Sequence, residues 1–416
     1  MEAYIKGLTS LFSQSLEIVE PWYIRSIETQ DEAVHIYVDI REGNMMPCPE
    51  CGVKYLRAGY EKQERVWRHG DVMFYPCYVH CRRPRIKCKD HGIIVVDAPW
   101  ARKFSRFTMQ FEGYAMVVLQ EMPILPASEL LRCNEKSLTR ILRYWVGEAV
   151  DEDDLSDVTD IGIDETSFLK GQSYVTVVVD ANKKRVIDVE PGRTEQTVID
   201  FSYKLMAKGG DCNNILNVSS DMSKAYKNGI EISFPYAKIT IDKFHVKQLL
   251  LKAMDEVRKE EQKEYKGKVL FQSRKLLYIP ETKQSEQQRL RITEISSQYP
   301  KTGRAFRMVQ ALDLVYASED IVEASKRFDA LFRWLRRSRL EPMKKVAMTL
   351  KEHKTEILYI FKSKLTNAIC EGINSLIQAA KRKARGYHTF EGYSSMIHLI
   401  AGKLQLACPN PLRQLE

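Results

Sequence analysis

Two short apolar runs, each ending in an acid, organise the hydrophobic pattern of this chain. One reads ILNVSSD and ends at Asp221, and the other reads AKITID and ends at Asp242. Apolar runs of this length, each followed by a break, predict buried β-strands. The segment between them predicts one short helix and a turn. Because a strand fixes the backbone of the residue that ends it, each carboxylate is well placed to hold a metal ion.

The segment that precedes this pair predicts the rest of a mixed sheet. In VTDIGIDETSF, isoleucines alternate with a glycine and with Asp164, as they do on a strand. Two further β-rich runs follow, and then a helix over residues 194–208. This order predicts a three-stranded meander of the kind that opens a ribonuclease-H-like domain. The first and fourth strands are neighbours in that topology, so Asp164 and Asp221 are expected to lie close together.

The segment LTNAICEGINSLIQAAKRKARGY predicts an amphipathic helix that carries a third acid. Its polar positions form one stripe: Asn367, Glu371, Asn374 and Gln378. Its apolar positions fill the opposite face: Ile369, Ile373, Leu376, Ile377 and Ala380. Glu371 suits a metal-ligand position, although a single acid is more often a surface charge. With Asp164 and Asp221 it would offer hard oxygen ligands to two Mg²⁺ or Mn²⁺ ions for phosphoryl transfer.

Two closely spaced pairs of metal-ligating residues mark the first hundred residues. Cys48 and Cys51 form a C-x-x-C pair, and Cys88 and His91 form a C-x-x-H pair. Two such pairs meet the four-ligand, tetrahedral requirement of a structural Zn²⁺ ion. Rival ligands lie in the predicted hairpin between the pairs: Cys77, His80 and Cys81. The two cysteines among these rivals share a strand face with a valine and are interpreted as packing residues.

Residues 101–150 carry a helical pattern with a turn at Cys133–Asn134. Apolar residues recur at helical spacing: Leu130, Leu131, Leu138, Ile141, Leu142 and Trp145. This rhythm is typical of a helix-turn-helix, and basic residues would line the exposed face of its second helix: Lys136, Arg140 and Arg143. An ordinary helical hairpin fits the same pattern, so DNA binding is one of two interpretations. An acidic linker follows at residues 151–158.

The charge balance is moderately basic. In 416 residues, 64 Lys and Arg exceed 55 Asp and Glu, which gives a net charge of +9 and a pI near 8.9. This excess is compatible with a nucleic-acid partner but does not require one. Two basic strings are candidate contacts to a DNA backbone, or else solvated surface: Arg82 and Arg83, and Lys381, Arg382 and Arg385. No run of eighteen apolar residues and no signal-peptide pattern occur, so no membrane association is expected.

Seven phrases stand in a fixed order along the chain: CPECG, KCKDHG, VVDAPWARKFSRFT, GIDETSF, SSDMSKAY, ITIDKFHV and TNAICEGINSLIQAAKRKARGYHTFEGY. In this combination they resemble the DDE transposases of the ISL-three family of bacterial insertion sequences. The resemblance implies that the catalytic triad is Asp164, Asp221 and Glu371, and that the zinc ligands are Cys48, Cys51, Cys88 and His91. It also places Asp242 and His245 near the site, as residues that support the ligands or position DNA. Asp242 remains an alternative to Asp221 as the second acid.

The resemblance further implies a multidomain α+β and α/β architecture. A zinc-finger β domain would cover residues 1–100 and a helix-turn-helix domain residues 101–150. A ribonuclease-H-like mixed-sheet DDE domain would cover 159–402, interrupted by an all-helical insertion at 246–365. A short tail, 403–416, would complete the chain.

The implied function is that of an insertion-sequence transposase. Such a protein binds the terminal inverted repeats of its element and catalyses metal-dependent DNA strand cleavage and transfer. Its partners would be double-stranded DNA, as element ends and as target, and further copies of the chain in a dimer or larger synaptic assembly. The expected location is the bacterial cytoplasm, at the nucleoid. Two alternatives are a non-catalytic DNA-binding remnant or repressor and a resolvase-like nuclease on the same core.

Two positions depart from the family pattern. The second zinc pair ends in His91 where many relatives have cysteine, and histidine is an ordinary zinc ligand. The turn between the two helices has Arg132 where relatives often have glycine. A non-glycine residue in a left-handed turn costs roughly 1–2 kcal/mol, so this turn is expected to have a different shape.

Overall fold

The computed structural model of the protein describes residues 2–169, 174–265, 269–365, 368–384, 387 and 389–409. The chain separates into two units after Val150. The N-terminal unit covers Met1–Val150, and two short segments near the C-terminus group with it. The C-terminal unit contains most of the chain from Asp151 onward.

The N-terminal unit combines two four-stranded sheets with four helices. Its elements in chain order are α1 (Glu2–Ser15), β1 (Trp22–Gln30), β2 (Ala33–Ile40), β3 (Met45–Pro47), β4 (Lys54–Tyr60), β5 (Arg65–Val72), β6 (Tyr75–Cys81), β7 (Pro84–Cys88), β8 (Gly92–Val95), α2 (Met109–Glu121), α3 (Ile124–Leu130) and α4 (Glu135–Asp151). One sheet has the order β1-β2-β6-β5 and the other β3-β4-β7-β8. The second sheet carries the predicted zinc pairs at its turns.

Tryptophans hold the core of the N-terminal unit. Trp22 and Trp67 each meet the fully buried Trp100 edge to face, with ring centroids 5.2 and 5.5 Å apart. Large aromatic side chains give the most apolar burial per residue, and edge-to-face pairs add to it. Cys77 and Cys81 are buried in this same core on β6. Burial of these two thiols raises the pKa of each above its usual range.

A five-stranded mixed sheet forms the centre of the C-terminal unit. Its strands are β9 (Asp160–Ser167), β10 (Tyr174–Asp180), β11 (Arg185–Pro191), β12 (Asn217–Ser220) and β13 (Lys238–Ile241). The sheet order is β11-β10-β9-β12-β13. The first three strands are antiparallel, and β12 is parallel to both β9 and β13. The predicted meander and the predicted pairing of the first and fourth strands are therefore confirmed.

Helices cover both faces of this sheet and form a separate cluster after β13. The helices are α5 (Glu195–Ala207), α6 (Lys224–Ser233), α7 (Lys243–Glu264), α8 (Val269–Gln272), α9 (Arg274–Leu277), α10 (Glu286–Gln298), α11 (Pro300–Tyr316), α12 (Ile321–Arg337), α13 (Glu341–Glu352), α14 (Lys354–Leu358), α15 (Ile360–Ser363), α16 (Ala368–Lys383) and α17 (Phe390–Ala401). Side chains from α5 and α6 pack on one face, and side chains from α16 and α17 on the other. The described residues between β13 and α16 form helices and no strand. Most of these helices contribute side chains to one apolar core.

Three local expectations need correction. Leu130 is 55% exposed and Leu376 is 47% exposed, so neither belongs to the apolar face that the periodicity assigned to it. Leu130 ends the short helix α3, and its neighbour Leu131 is buried instead. The turn at Arg132 does not avoid the left-handed conformation, because Arg132 adopts a φ of +48°. Its guanidinium Nη1 donates to the backbone oxygen of Phe74 at 2.9 Å, and this bond helps to hold the conformation.

Candidate zinc site and candidate active site

Two tight turns of the second N-terminal sheet position the four predicted zinc ligands. Cys48 follows β3, and its backbone N–H donates to the oxygen of Val53 at 2.9 Å. Gly52 closes this turn with a φ of +74°, which a residue with a Cβ rarely adopts. Cys88 ends β7, and His91 precedes β8 in the antiparallel partner strand. Since β4 pairs with β7, the two turns lie side by side.

The ligand atoms of these residues have the spacing of a tetrahedral zinc site. The distances are 3.7 Å from Cys48 Sγ to His91 Nδ1, 3.7 Å from Cys51 Sγ to Cys88 Sγ and 3.5 Å from Cys88 Sγ to His91 Nδ1. All four ligand atoms lie within 4.8 Å of one another. Zinc bonds of about 2.3 Å to sulfur and 2.0–2.1 Å to nitrogen place tetrahedral ligands roughly 3.5–3.8 Å apart. The residues therefore fit a structural zinc ion.

A tyrosine beside the zinc ligands was not foreseen from the sequence. Tyr55 Oη lies 3.5 Å from Cys88 Sγ and also accepts the backbone N–H of Lys89 at 3.3 Å. The hydrogen bond with Tyr55 lowers the pKa of the Cys88 thiol to about 6. A thiolate is the form that binds zinc, so Tyr55 supports the ligand. Its only sequence signal is its place on β4, directly after the first zinc pair.

Strand register brings three aspartates to one level in the C-terminal sheet. Ser219 lies across from Gly162, and Ser220 lies across from Ile241. Continued along the strands, this register sets Asp221 beside Asp164 on one side and beside Asp242 on the other. Neighbouring strands are about 4.8 Å apart, so the three carboxylates share one edge of the sheet. Asp164 and Asp242 are buried, whereas Asp221 is partly exposed.

Helix α16 lies along β9 in a ladder of side-chain contacts. Two residues of a strand advance about 6.6–6.8 Å, and four residues of a helix advance about 6 Å. Every fourth residue of the polar stripe on α16 therefore lies beside every second residue of β9. The hydrogen bonds run from Asn374 Nδ2 to Asp164 Oδ2 at 2.7 Å, from Gln378 Nε2 to Thr166 Oγ1 at 2.5 Å and from Lys381 Nζ to Ser167 O at 2.5 Å.

A glycine permits the close approach of this helix. A Cβ at Gly162 would clash with Cys370 Sγ, one turn before Asn374 on α16. The carboxamides of Asn374 and Gln378 contact β9 directly, which the amphipathic pattern alone does not show. The stripe position Asn367 lies outside the described residues.

Glu371 itself is exposed on α16. Burial raises the pKa of the Glu371 carboxyl, and the charges of Asp242 and Asp164 raise it further. Burial also raises the pKa of Asp221, against the effect of the Ser223 backbone N–H that donates to it at 2.9 Å. These acids thus share one field and repel one another. A set of hard oxygen donors of this kind suits a divalent cation such as Mg²⁺ or Mn²⁺.

His245 is the basic side chain in contact with these acids. It lies in the first turn of α7, the helix that begins directly after Asp242. Its Nε2 is 3.8 Å from Asp164 Oδ1. Its contact with Asp164 raises the pKa of His245, and the charges of Asp242 and Asp221 act in the same direction. The backbone oxygen of Asp242 accepts the Val246 N–H of α7 at 3.2 Å, and its side chain does not cap this helix. Both residues are thus part of the acidic cluster.

The acidic cluster is looser than the zinc site. In the described part of the chain, the two zinc pairs form the group whose His, Cys, Asp and Glu ligand atoms converge within 4.8 Å. Asp164, Asp221, Asp242 and Glu371 are brought to one region by register and by α16, but they do not form a second such group among the described residues. Mutual repulsion of carboxylates explains this spacing.

The predicted DNA-binding residues differ in their exposure to solvent and in their bonded partners. Three are exposed on α4: Lys136, Arg140 and Arg143. Arg82 is exposed, whereas Arg83 is held in a two-bond ion pair with Glu61, at 2.9 Å for each bond. Lys381 is bound to Ser167, Arg382 is exposed, and Arg385 lies outside the described residues. On α4, Arg140 also donates to Ser137 Oγ at 3.2 Å. The exposed cations on α4 are therefore the better candidates for phosphate contacts.

No helix in the described part of the chain has the length and apolarity needed to cross a membrane.

Comparisons with known proteins match the two stretches of sequence that contain the candidate sites. Residues 161–397 match the model of the ISL3 transposase family (DDE_Tnp_ISL3), and residues 45–91 match the zinc finger of transposases IS204, IS1001, IS1096 and IS1165. The chain is 25% identical over 354 residues to the transposase for insertion sequence element IS1001 of Bordetella parapertussis, across 83% of this chain and 86% of the relative. It is 24% identical over 376 residues to the transposase for IS1557 of Mycobacterium tuberculosis, across 84% of each chain. As its motifs predict, the chain belongs to the ISL3 (ISL-three) family of insertion-sequence transposases.

Proposed function

We propose that this transposase binds the terminal inverted repeats of its own element, cuts the DNA there and joins the freed 3′ ends to target DNA. In this proposal Asp164, Asp221 and Glu371 are the acids that hold two Mg²⁺ or Mn²⁺ ions on a ribonuclease-H-like domain. The observation that carries it is the ladder between β9 and α16, because it aligns Glu371 with the strand of Asp164. The register with β12 brings Asp221 to the same edge.

Divalent ions bound there would activate a water or a 3′-hydroxyl and stabilise the leaving oxygen of an in-line phosphodiester displacement. The protein's own residues prepare this chemistry. Asn374 orients the Asp164 carboxylate through its 2.7 Å hydrogen bond. His245, with its Nε2 3.8 Å from Asp164 Oδ1, would offset the charge of this carboxylate when its imidazole is protonated. Such supporting contacts commonly change metal affinity or activity by about 10–100-fold.

Two assignments of the second acid remain to be distinguished. Asp221 ends the strand beside β9, which supports its role as a metal ligand. Asp242 is more deeply buried, and its charge acts directly on Glu371. We assign Asp221 as the ligand and Asp242 as a supporting residue that, with His245, tunes the charge of the site.

DNA recognition is assigned to the N-terminal unit. We propose that α3 and α4 act as a helix-turn-helix, with Lys136, Arg140 and Arg143 facing DNA. The zinc ribbon stiffens the adjoining sheet and presents Arg82. Because two element ends must be held together for transposition, we expect a dimer or larger assembly of the chain on DNA.

The test is cleavage by carboxylate variants of the full chain. Asp164→Asn, Asp221→Asn and Glu371→Gln should each bind a duplex of the terminal repeat normally but lose at least a thousandfold in Mg²⁺-dependent nicking. Asp242→Asn should retain measurable nicking. Asp200→Asn, an exposed acid on α5, is the matched control and should nick like the unaltered protein. If Asp221→Asn nicks and Asp242→Asn does not, Asp242 is the second acid.

A further inference from the structure

The hairpin that joins β5 to β6 has an unusual turn. Val72 pairs with Tyr75, so Met73 and Phe74 are the two residues of the loop. Both have left-handed backbones, with φ of +49° and +75°. Two-residue hairpin loops with positive φ at both positions strongly favour Asn-Gly or Gly-Gly. A methionine and a phenylalanine there are strained, since each carries a Cβ.

Packing does not explain these residues. Met73 is 85% exposed and Phe74 is 86% exposed, so their side chains contribute almost nothing to the core. Strained backbone with no gain in packing is found mainly where function requires it. We refer to Met73 and Phe74 as the apolar tip.

A side chain from the α3–α4 turn holds the apolar tip in place. Arg132 Nη1 donates to the backbone oxygen of Phe74 at 2.9 Å, and the same nitrogen lies 3.8 Å from Asp71 Oδ2. Arg132 lies in the short turn that precedes α4, and its backbone φ of +48° is in the left-handed region. The apolar tip therefore lies beside the start of the helix whose exposed cations are Lys136, Arg140 and Arg143.

We infer that the apolar tip is a DNA wedge that inserts Met73 and Phe74 at a base step next to the site read by α4. The inference rests on the proposed role of α4 in DNA binding. The charges select DNA as the occupant, because the helix that begins beside the apolar tip carries three exposed cations, and such cations attract phosphates. Apolar wedges between base steps unstack the bases and kink the duplex.

The test replaces the apolar tip by the loop that the turn prefers. The double variant Met73→Asn with Phe74→Gly should fold at least as stably as the unaltered chain, because it removes the backbone strain. Its affinity for a duplex of the terminal repeat should fall at least tenfold. A 2-aminopurine placed in that duplex should brighten on binding of the unaltered chain and stay dark with the variant. Phe74→Gly alone is the second variant, with a smaller loss in the same direction.

Phe104→Gly is the matched control. Phe104 is 87% exposed and also left-handed, with a φ of +66°, but no hydrogen bond ties it to the α3–α4 turn among the bonds of the described residues. This variant should keep both affinity and the 2-aminopurine signal.

Three outcomes would overturn the wedge. One is a double variant that binds and unstacks the duplex like the unaltered chain. Another is an equal loss in Phe104→Gly. The third is a variant that loses self-association in sedimentation but keeps its DNA affinity, which would assign the apolar tip to a second copy of the chain. Failure of the unaltered chain and of its α4 variants to bind the terminal repeat would instead count against the proposed function.

Discussion

The zinc site and the acidic site hold metal-binding residues in opposite ways. In the zinc site, four ligands come from two short turns. Three of the distances between their ligand atoms are 3.5–3.7 Å. In the acidic site, the residues come from the middle of β9, from the positions directly after β12 and β13, and from helix α16, and they span more than two hundred positions of sequence. Their ligand atoms do not converge in the same way among the described residues.

Chain geometry and charge explain the contrast. In the zinc site, short turns fix the two members of each ligand pair within three residues of one another. Carboxylates repel at the same distance, and the raised pKa of Asp221 and of Glu371 reflects burial together with this repulsion. A site whose ligands are preset by local turns suits a structural ion. A site that is open until a cation enters suits ions that must also engage a substrate phosphate.

The largest effect is expected at the zinc site. Cys51→Ser removes one of four ligands, and structural zinc in small domains has an apparent binding free energy of about 10–16 kcal/mol. We expect zinc content to fall from one ion per chain to near zero and the N-terminal unit to become sensitive to protease. Metal analysis and limited proteolysis measure this. Cys133→Ser, at a partly exposed cysteine outside the site, should keep the full zinc content.

A smaller effect is expected where α16 supports the acids. Asn374→Asp replaces the donor to Asp164 by a like charge and should lower Mg²⁺-dependent nicking by roughly 10–100-fold while terminal-repeat binding stays unchanged. Raising the Mg²⁺ concentration should restore part of the activity. Ser375→Asp, at the exposed neighbouring position, is the control. Equal activity of Asn374→Asp and the unaltered chain would contradict a role for this hydrogen bond.

The smallest effect concerns pH. Because burial and like charges raise the pKa of Glu371, its stabilising contribution is present below its unfolded pKa and is lost as pH rises through the folded value. The metal-free Glu371→Gln protein should therefore melt slightly above the unaltered protein at neutral pH, and this difference should vanish in acid, below the unfolded pKa of the carboxyl. Mg²⁺ should also reduce it. Thermal melts measure the difference, and the exposed Glu231→Gln should show none.

Local sequence patterns were sufficient to predict the features that depend on residues close together in the chain. The spacing of Cys48 and Cys51 and of Cys88 and His91 predicted a four-ligand group, because a tight turn leaves two ligands little freedom. The order of strands around Asp164 predicted the pairing of β9 with β12, since few topologies fit a meander followed by a crossover helix. The helical stripe of Glu371, Asn374 and Gln378 predicted which side chains share a face.

Long-range packing decided what those patterns could not. Periodicity placed Leu130 and Leu376 in apolar faces, but neighbouring elements do not reach them. The basic string made Arg83 a candidate contact to a DNA backbone. In the structure, Glu61, which directly follows β4, forms an ion pair with Arg83. The turn at Arg132 was expected to have a different shape because relatives often have glycine there. Only a partner 58 positions away shows how arginine keeps the left-handed conformation.

The sequence by itself determined the element order, the zinc pairs and the acids at the strand ends, because each depends on neighbours within a few residues. The tertiary structure decided the register that sets Asp221 between Asp164 and Asp242, the ladder that aligns α16 with β9, and the contact that ties the apolar tip to the start of α4. Those features depend on distances between segments far apart in the chain. Such distances follow from how whole elements pack, and no local spacing encodes them.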